Sequence, residues 1–123
     1  KTMKEFLEKE SLLGDCDVIS VAGGVKALLS PDNPSDKEFI LKQIGISVDL
    51  HGIKEVILSN HTDCGAYGGS SKFNSFEEEC SFHISEMRKA EDLILSIYPN
   101  LTIRLVLGKI AHSGEIILEK IGN

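Results

Sequence analysis

His61 and Cys64 stand three residues apart within Glu55 to Gly69, a stretch that reads EVILSNHTDCGAYGG. Imidazole and thiolate are side chains that zinc prefers, and at this spacing both can face one ion. Asp63, between them, offers a carboxylate that could orient a ligand from behind or brace the loop. Gly65, Gly68 and Gly69 follow. Glycines let a backbone turn tightly and bring its N–H groups close to a small ligand. The same residues also permit a plainer reading, a buried His and Cys packed beneath a glycine turn.

The residues before the pair must position it. Val56-Ile57-Leu58 has the length and composition of a buried strand, ending at Ser59-Asn60. In parallel α/β sheets, ligands bind just past the carboxyl ends of such strands. Upstream, Met3 to Glu10 predicts a short amphipathic helix stopped near Gly14, and Asp17 to Ala22 predicts a strand ending at Gly23-Gly24. Val25 to Leu29 fits a helical turn. Two prolines mark Ser30 to Pro34 as a loop, and Ser35 with Glu38 predicts a capping box for a helix closed by Gly52. That helix carries Ile40, Ile44, Val48 and His51 on one stripe.

Downstream, Ser75 with Glu78 forms a second capping box, opening a helix that runs to about Tyr98 before Pro99. Its apolar stripe is Phe76, Cys80, His83, Met87, Ala90, Ile94 and Ile97. Cys80 and His83 could pair on a second metal, but their place in this stripe favours core packing. Leu101 to Leu107 alternates as a strand, with Gly108 as a bulge or a point of close packing. Ser113-Gly114 predicts a hairpin turn into a last strand, Glu115 to Ile121. Cys16 reads as a small buried residue, His51 as a helix-end residue and His112 as a turn residue.

At 123 residues, with 41% hydrophobic and 26% charged content, the chain fits one soluble domain. A net charge of −6 and a pI near 5.2 argue against nucleic acid or an anionic membrane as partner. No apolar run approaches a membrane span, and no signal-peptide pattern opens the chain. Three cysteines without framework spacing favour free or metal-bound thiols in a reducing, cytoplasmic setting. Neither Gly23-Gly24 nor the later glycines match a nucleotide-binding loop, and no C-x-x-C suggests thiol redox chemistry.

The H-x-D-C-G motif at His61 to Gly65, the strand before it, the glycine-rich loop after it and the C-terminal hairpin together resemble the β-class carbonic anhydrases. The resemblance implies an α/β fold, a three-layer, Rossmann-like, mostly parallel sheet flanked by helices with an antiparallel edge hairpin. It implies a Zn2+ cofactor, carbon dioxide and bicarbonate as substrate and product, and a homodimer or larger homo-oligomer. The C-terminal strands and first helix are its plausible contacts. His61 and Cys64 match two of the family's three zinc ligands. Gly65 and Ala66 match its substrate-facing positions, Tyr67 lies beside the pocket, and Asp63 is the carboxylate behind the ligands.

The match is partial. Val18 to Gly24 (VISVAGG) stands where the family typically ends a strand in R-N-A-G, and no C-x-D-x-R occurs in these residues. That motif supplies the family's first zinc ligand and its catalytic Asp–Arg pair. The family's first strand lies between those matching Asp17–Ala22 and Glu55–Asn60. The expectation is therefore a single domain over residues 1–123 that lacks this strand, with a preceding segment in the intact protein. A divergent member using a partner's strand is the alternative. Function divides the same way, between a zinc hydro-lyase acting on carbon dioxide, or on a related molecule such as carbonyl sulfide or carbon disulfide, and a non-catalytic zinc-binding or ligand-sensing relative.

Overall fold

In the computed structural model, which describes residues 2–14 and 16–122, the apolar run after Gly52 forms strand β1 (Glu55–His61). It pairs in parallel with β2 (Thr102–Ile110), Val56 facing Ile103 and His61 facing Gly108. β2 pairs antiparallel with β3 (Ile116–Ile121), Gly108 facing Leu118. The result is a mixed three-stranded sheet of order β1-β2-β3. The expected antiparallel edge is present, and the turn before it closes with Gly114 N–H donating to Ala111 C=O at 2.8 Å. β2 runs through Gly108 unbroken, so that glycine is a point of close packing rather than a bulge.

Four helices accompany the sheet, α1 (Thr2–Lys9), α2 (Lys26–Leu29), α3 (Pro34–His51) and α4 (Phe76–Ile97). α4 lies against β1, β2 and α2, α2 also packs on α3, and α1 packs on β3. Most of the stripe expected on α4 turns inward. Met87, Ala90 and Ile94 are fully buried with Leu105 and Leu107 of β2, Leu58 of β1, and Ile40 and Ile44 of α3. Phe76 and Ile97, at the two ends of the stripe, remain exposed. No helix among the described residues is long and apolar enough to cross a membrane.

The caps show how local chemistry sets the boundaries. Ser75 Oγ accepts from Glu78 N–H at 3.0 Å, as expected, while the Glu78 carboxylate takes the N–H of Asn74 instead of that of Ser75. α3 starts differently from the expectation. Its N-cap is Asn33, whose Oδ1 accepts from Ser35 N–H at 3.0 Å, and Pro34 is the first helical residue. A proline lacks the N–H that the first turn leaves unpaired, and it pushes the residue before it into the extended region where a cap must sit. Gly52 closes α3 in the left-handed conformation, with φ +61°.

One expected strand is absent. Residues 17–21 are irregular, and Val18 is 70% exposed. A strand is a paired state whose N–H and C=O groups need a neighbour. Among the described residues β1 is an edge strand, and this segment does not pair with it. It is held at its ends instead. Asp17 Oδ2 accepts from Ser47 Oγ at 3.0 Å and lies 2.7 Å from His51 Nδ1, at the C-terminal end of α3. At the other end, Val25 N–H donates to Asn60 Oδ1 at 3.0 Å, beside the C-terminal end of β1. Cys16, expected to be buried before a core strand, is exposed for the same reason.

Candidate metal centre

β1 delivers His61 as its last residue, and the chain then leaves the sheet through Thr62, Asp63 and Cys64. Thr62 fastens the exit. Its N–H donates to Gly108 C=O at 2.8 Å, and its Oγ1 accepts from Ile110 N–H at 2.9 Å. Gly108 eases this approach, because a Cβ there would lie 3.1 Å from the Cβ of His61, which would have to give by a few tenths of an ångström. Asp63 then adopts φ +54°, a left-handed conformation unusual for a residue with a side chain. Its Oδ1 accepts from Ser70 N–H at 2.9 Å, so the residue braces the loop.

The two candidate donors differ in setting. His61 is exposed, and its Nδ1 lies 2.7 Å from the carbonyl oxygen of Thr62. A carbonyl oxygen can only accept, so Nδ1 carries the hydrogen and Nε2 presents a lone pair. That is the tautomer and orientation of a metal-ligating histidine. Cys64 is buried, with 6% exposure. Its carbonyl oxygen accepts from the N–H groups of Tyr67, at 3.0 Å, and Gly69, at 2.9 Å, which folds Gly65–Tyr67 into a 3₁₀ turn.

Beneath this loop lies one face of α4. Glu79 is 1% exposed, and its Oε2 accepts from Asp63 N–H at 2.6 Å while its Oε1 accepts from Ser70 Oγ at 2.8 Å. His83, one turn further on, is fully buried and lies 3.1 Å from Asn60 Nδ2 through its Nδ1. Burial holds the His83 imidazole below the ordinary histidine range, only partly offset by the Glu79 carboxylate. The Tyr67 ring stands edge-on to His83 at 5.0 Å and to Phe82 at 5.4 Å. Burial raises the Tyr67 phenol above its usual value, partly offset by its contact with Asn60.

An open cleft of about 580 Å³ borders the far side of the loop, lined in part by Lys26, Gly65, Ala66, Tyr67, Lys72 and Glu86. Neither His61 nor Cys64 lines it. Gly65 and Ala66, which follow Cys64 in the chain, line it. Cys80 is partly buried on the core stripe of α4, and burial pushes its thiol up, which suits packing rather than a thiolate ligand. His51 ends α3 and His112 sits exposed in the final turn, both as expected.

The donors match zinc in kind and fall short in number. A catalytic zinc takes three protein ligands, and no group of three His, Cys, Asp or Glu side chains that could hold a metal occurs among the described residues. The described residues therefore do not complete a metal site by themselves.

The structure keeps Asp63, Cys64, Gly65 and Ala66 in one loop, with His61 ending the strand before it. Asn60, Thr62 and Glu79, which hold the loop, carry no motif that marks them, and His83, expected in the core, is there with Asn60 as a polar partner. A faint signal existed. Asn60 is a polar residue ending an apolar strand, and Glu79 is the member of the acidic run Glu77 to Glu79 that falls one turn before His83.

Comparison with known proteins follows the same lines. The family described as "Putative carbonic anhydrase" matches residues 1–110. Two rickettsial proteins, each described as uncharacterized, are 28% identical over 102 residues, or 80% of this chain. The match takes in 55% of the Rickettsia conorii protein and 62% of the Rickettsia bellii protein, so this chain spans little more than half the length of either. No solved structure gives a significant match. With the family matched across most of its length, the chain belongs to the "Putative carbonic anhydrase" family.

Proposed function

We propose that this chain belongs to a zinc-dependent lyase that reversibly hydrates carbon dioxide, converting it with water to bicarbonate and a proton. His61 and Cys64 are two of its metal ligands. The observation that carries this reading is the His61 ring, whose Nδ1–H is tied to a backbone carbonyl so that Nε2 is free, three residues from a buried Cys64 at the carboxyl end of β1. Membership of the family supports it.

Zinc with three protein ligands supplies water acidified towards neutral pH. The chain's own residues do the rest of what can be assigned here. Thr62 C=O fixes the His61 tautomer, burial keeps Cys64 from solvent, and Asp63 braces the loop. Gly65 and Ala66 are assigned to substrate, their small size leaving room for a three-atom molecule beside the donors. The third ligand is assigned to a residue outside those described. In the same reading the three strands are part of the larger, mostly parallel Rossmann-like sheet of the β-class enzymes, and the protein is a cytoplasmic homodimer.

A second reading, a non-catalytic zinc-binding or ligand-sensing relative, is favoured by the lack of a three-donor group among the described residues. Elemental analysis of natively purified protein of known intact mass, followed by a carbon dioxide hydration assay, separates the two. About one zinc per chain with hydration activity supports the lyase. Zinc without activity supports the second reading, and folded protein without zinc overturns the lyase.

A further inference from the structure

The helix α4 touches the candidate metal loop at two points, one just before His61 and one between His61 and Cys64. Glu79 and His83 are four residues apart and so share a helical face. His83 meets Asn60, the residue before His61, and Glu79 meets Asp63, the residue before Cys64. One rigid element thus holds the residue before each donor. We infer that Glu79 is the positioning residue of this loop, setting the placement of Cys64 relative to His61 through the N–H of Asp63, with His83 as the fixed second arm. The inference rests on the proposed reading of His61 and Cys64 as ligands.

Three features assign this role to Glu79. A carboxylate 1% exposed is costly unless hydrogen bonds compensate it, and both of its oxygens are spent on the loop rather than on its own helix. The group it holds, Asp63, is in a left-handed conformation that a non-glycine residue leaves readily unless held. Asp63 in turn accepts from Ser70 N–H while Ser70 Oγ donates to Glu79, so Glu79, Asp63 and Ser70 close a ring of hydrogen bonds. The opposite side of the exit is already fixed to the sheet by Thr62. Releasing Glu79 therefore frees Cys64 while leaving His61 attached to β1.

The test compares E79A and E79Q with the parent protein by two readouts. The first is Co2+ affinity with the thiolate-to-cobalt absorption band, and the second is the alkylation rate of Cys64 in metal-free protein. Glutamine keeps an acceptor for Asp63 N–H, and its amide N–H can donate to Ser70 Oγ, so it should rescue what alanine loses. E79A is expected to weaken Co2+ binding about tenfold or more and to change the band, whereas E79Q stays within about threefold of the parent. In metal-free E79A, Cys64 should react on the order of tenfold faster. If E79A does not fold cooperatively, E79D takes its place, its carboxylate withdrawn by one methylene. Parent-like behaviour of E79A or E79D in both readouts overturns the inference, as does E79Q behaving like E79A. A parent protein that binds no cobalt overturns the reading of the pair as ligands, and the alkylation rates then decide the role of Glu79 in holding the loop.

Discussion

Asn60 Nδ2 lies 3.1 Å from His83 Nδ1, and both side chains are almost completely buried, at 3% and 0% exposure. The proton positions in this pair follow from one backbone group. Val25 N–H donates to Asn60 Oδ1, so Oδ1 is the acceptor and Nδ2 must donate. His83 Nδ1 then accepts, and the neutral ring carries its hydrogen on Nε2. That atom has no hydrogen-bond partner and lies 3.9 Å from Glu79 Oε2.

Replacing Asn60 by leucine leaves Val25 N–H and His83 Nδ1 without partners in the interior. Each unpaired group costs about 1–3 kcal/mol, so the two together should lower the stability of N60L by roughly 2–6 kcal/mol. Urea unfolding would show it as a lower midpoint at unchanged slope. An unchanged midpoint would mean that the pair contributes nothing to stability.

The depressed His83 value makes a signed prediction for acid. The unfolded chain protonates this histidine near its ordinary value of about 6.5, and the folded chain only at lower pH, because burial disfavours the charged ring. Between those two values the unfolded state binds more protons, so stability falls as pH drops through this window. H83Q, whose side-chain oxygen can still accept from Asn60, should lose less stability than the parent between about pH 7.5 and about pH 5.5. Equal losses would show that His83 does not contribute to the acid response.

Two left-handed glycines should respond differently to alanine. A Cβ on Gly24, at φ +55°, would lie 2.5 Å from the Ser59 carbonyl oxygen, while one on Gly52, at φ +61°, would meet nothing within 4 Å. G52A should cost only the conformational penalty, about 1–2 kcal/mol. G24A adds overpacking of about 1–3 kcal/mol against the end of β1. Thermal unfolding of the two variants side by side would test this ordering.

His61 offers the cleanest probe of the ligand assignment because it is exposed. H61A should abolish stoichiometric zinc in elemental analysis while shifting stability by no more than about 0.5 kcal/mol. Retained zinc would remove His61 from the ligand set.

Sequence alone determined the features that a few neighbouring residues control. Gly52 ends α3, Ser75 caps α4, the stripe from Cys80 to Ile94 faces the core, and Val56-Ile57-Leu58 lies in β1 with His61 at its end and Cys64 beyond it. Caps, periodicity and turn chemistry act over one or two helical turns, so they can be read along the chain. Tertiary structure alone decided what depends on distant partners. Asp17 to Ala22 has strand-like composition, but a strand exists only when paired, and this segment forms no ladder with the edge strand β1. Glu79 is one of three acids in the first turn of α4, and only the fold sets it under Asp63, 16 residues away. His83 was legible as a core residue, yet its partner Asn60 lies 23 residues back on another element. Hydrogen bonds between such residues are chosen by how helix and sheet pack, because only packing brings their buried polar atoms within reach of one another.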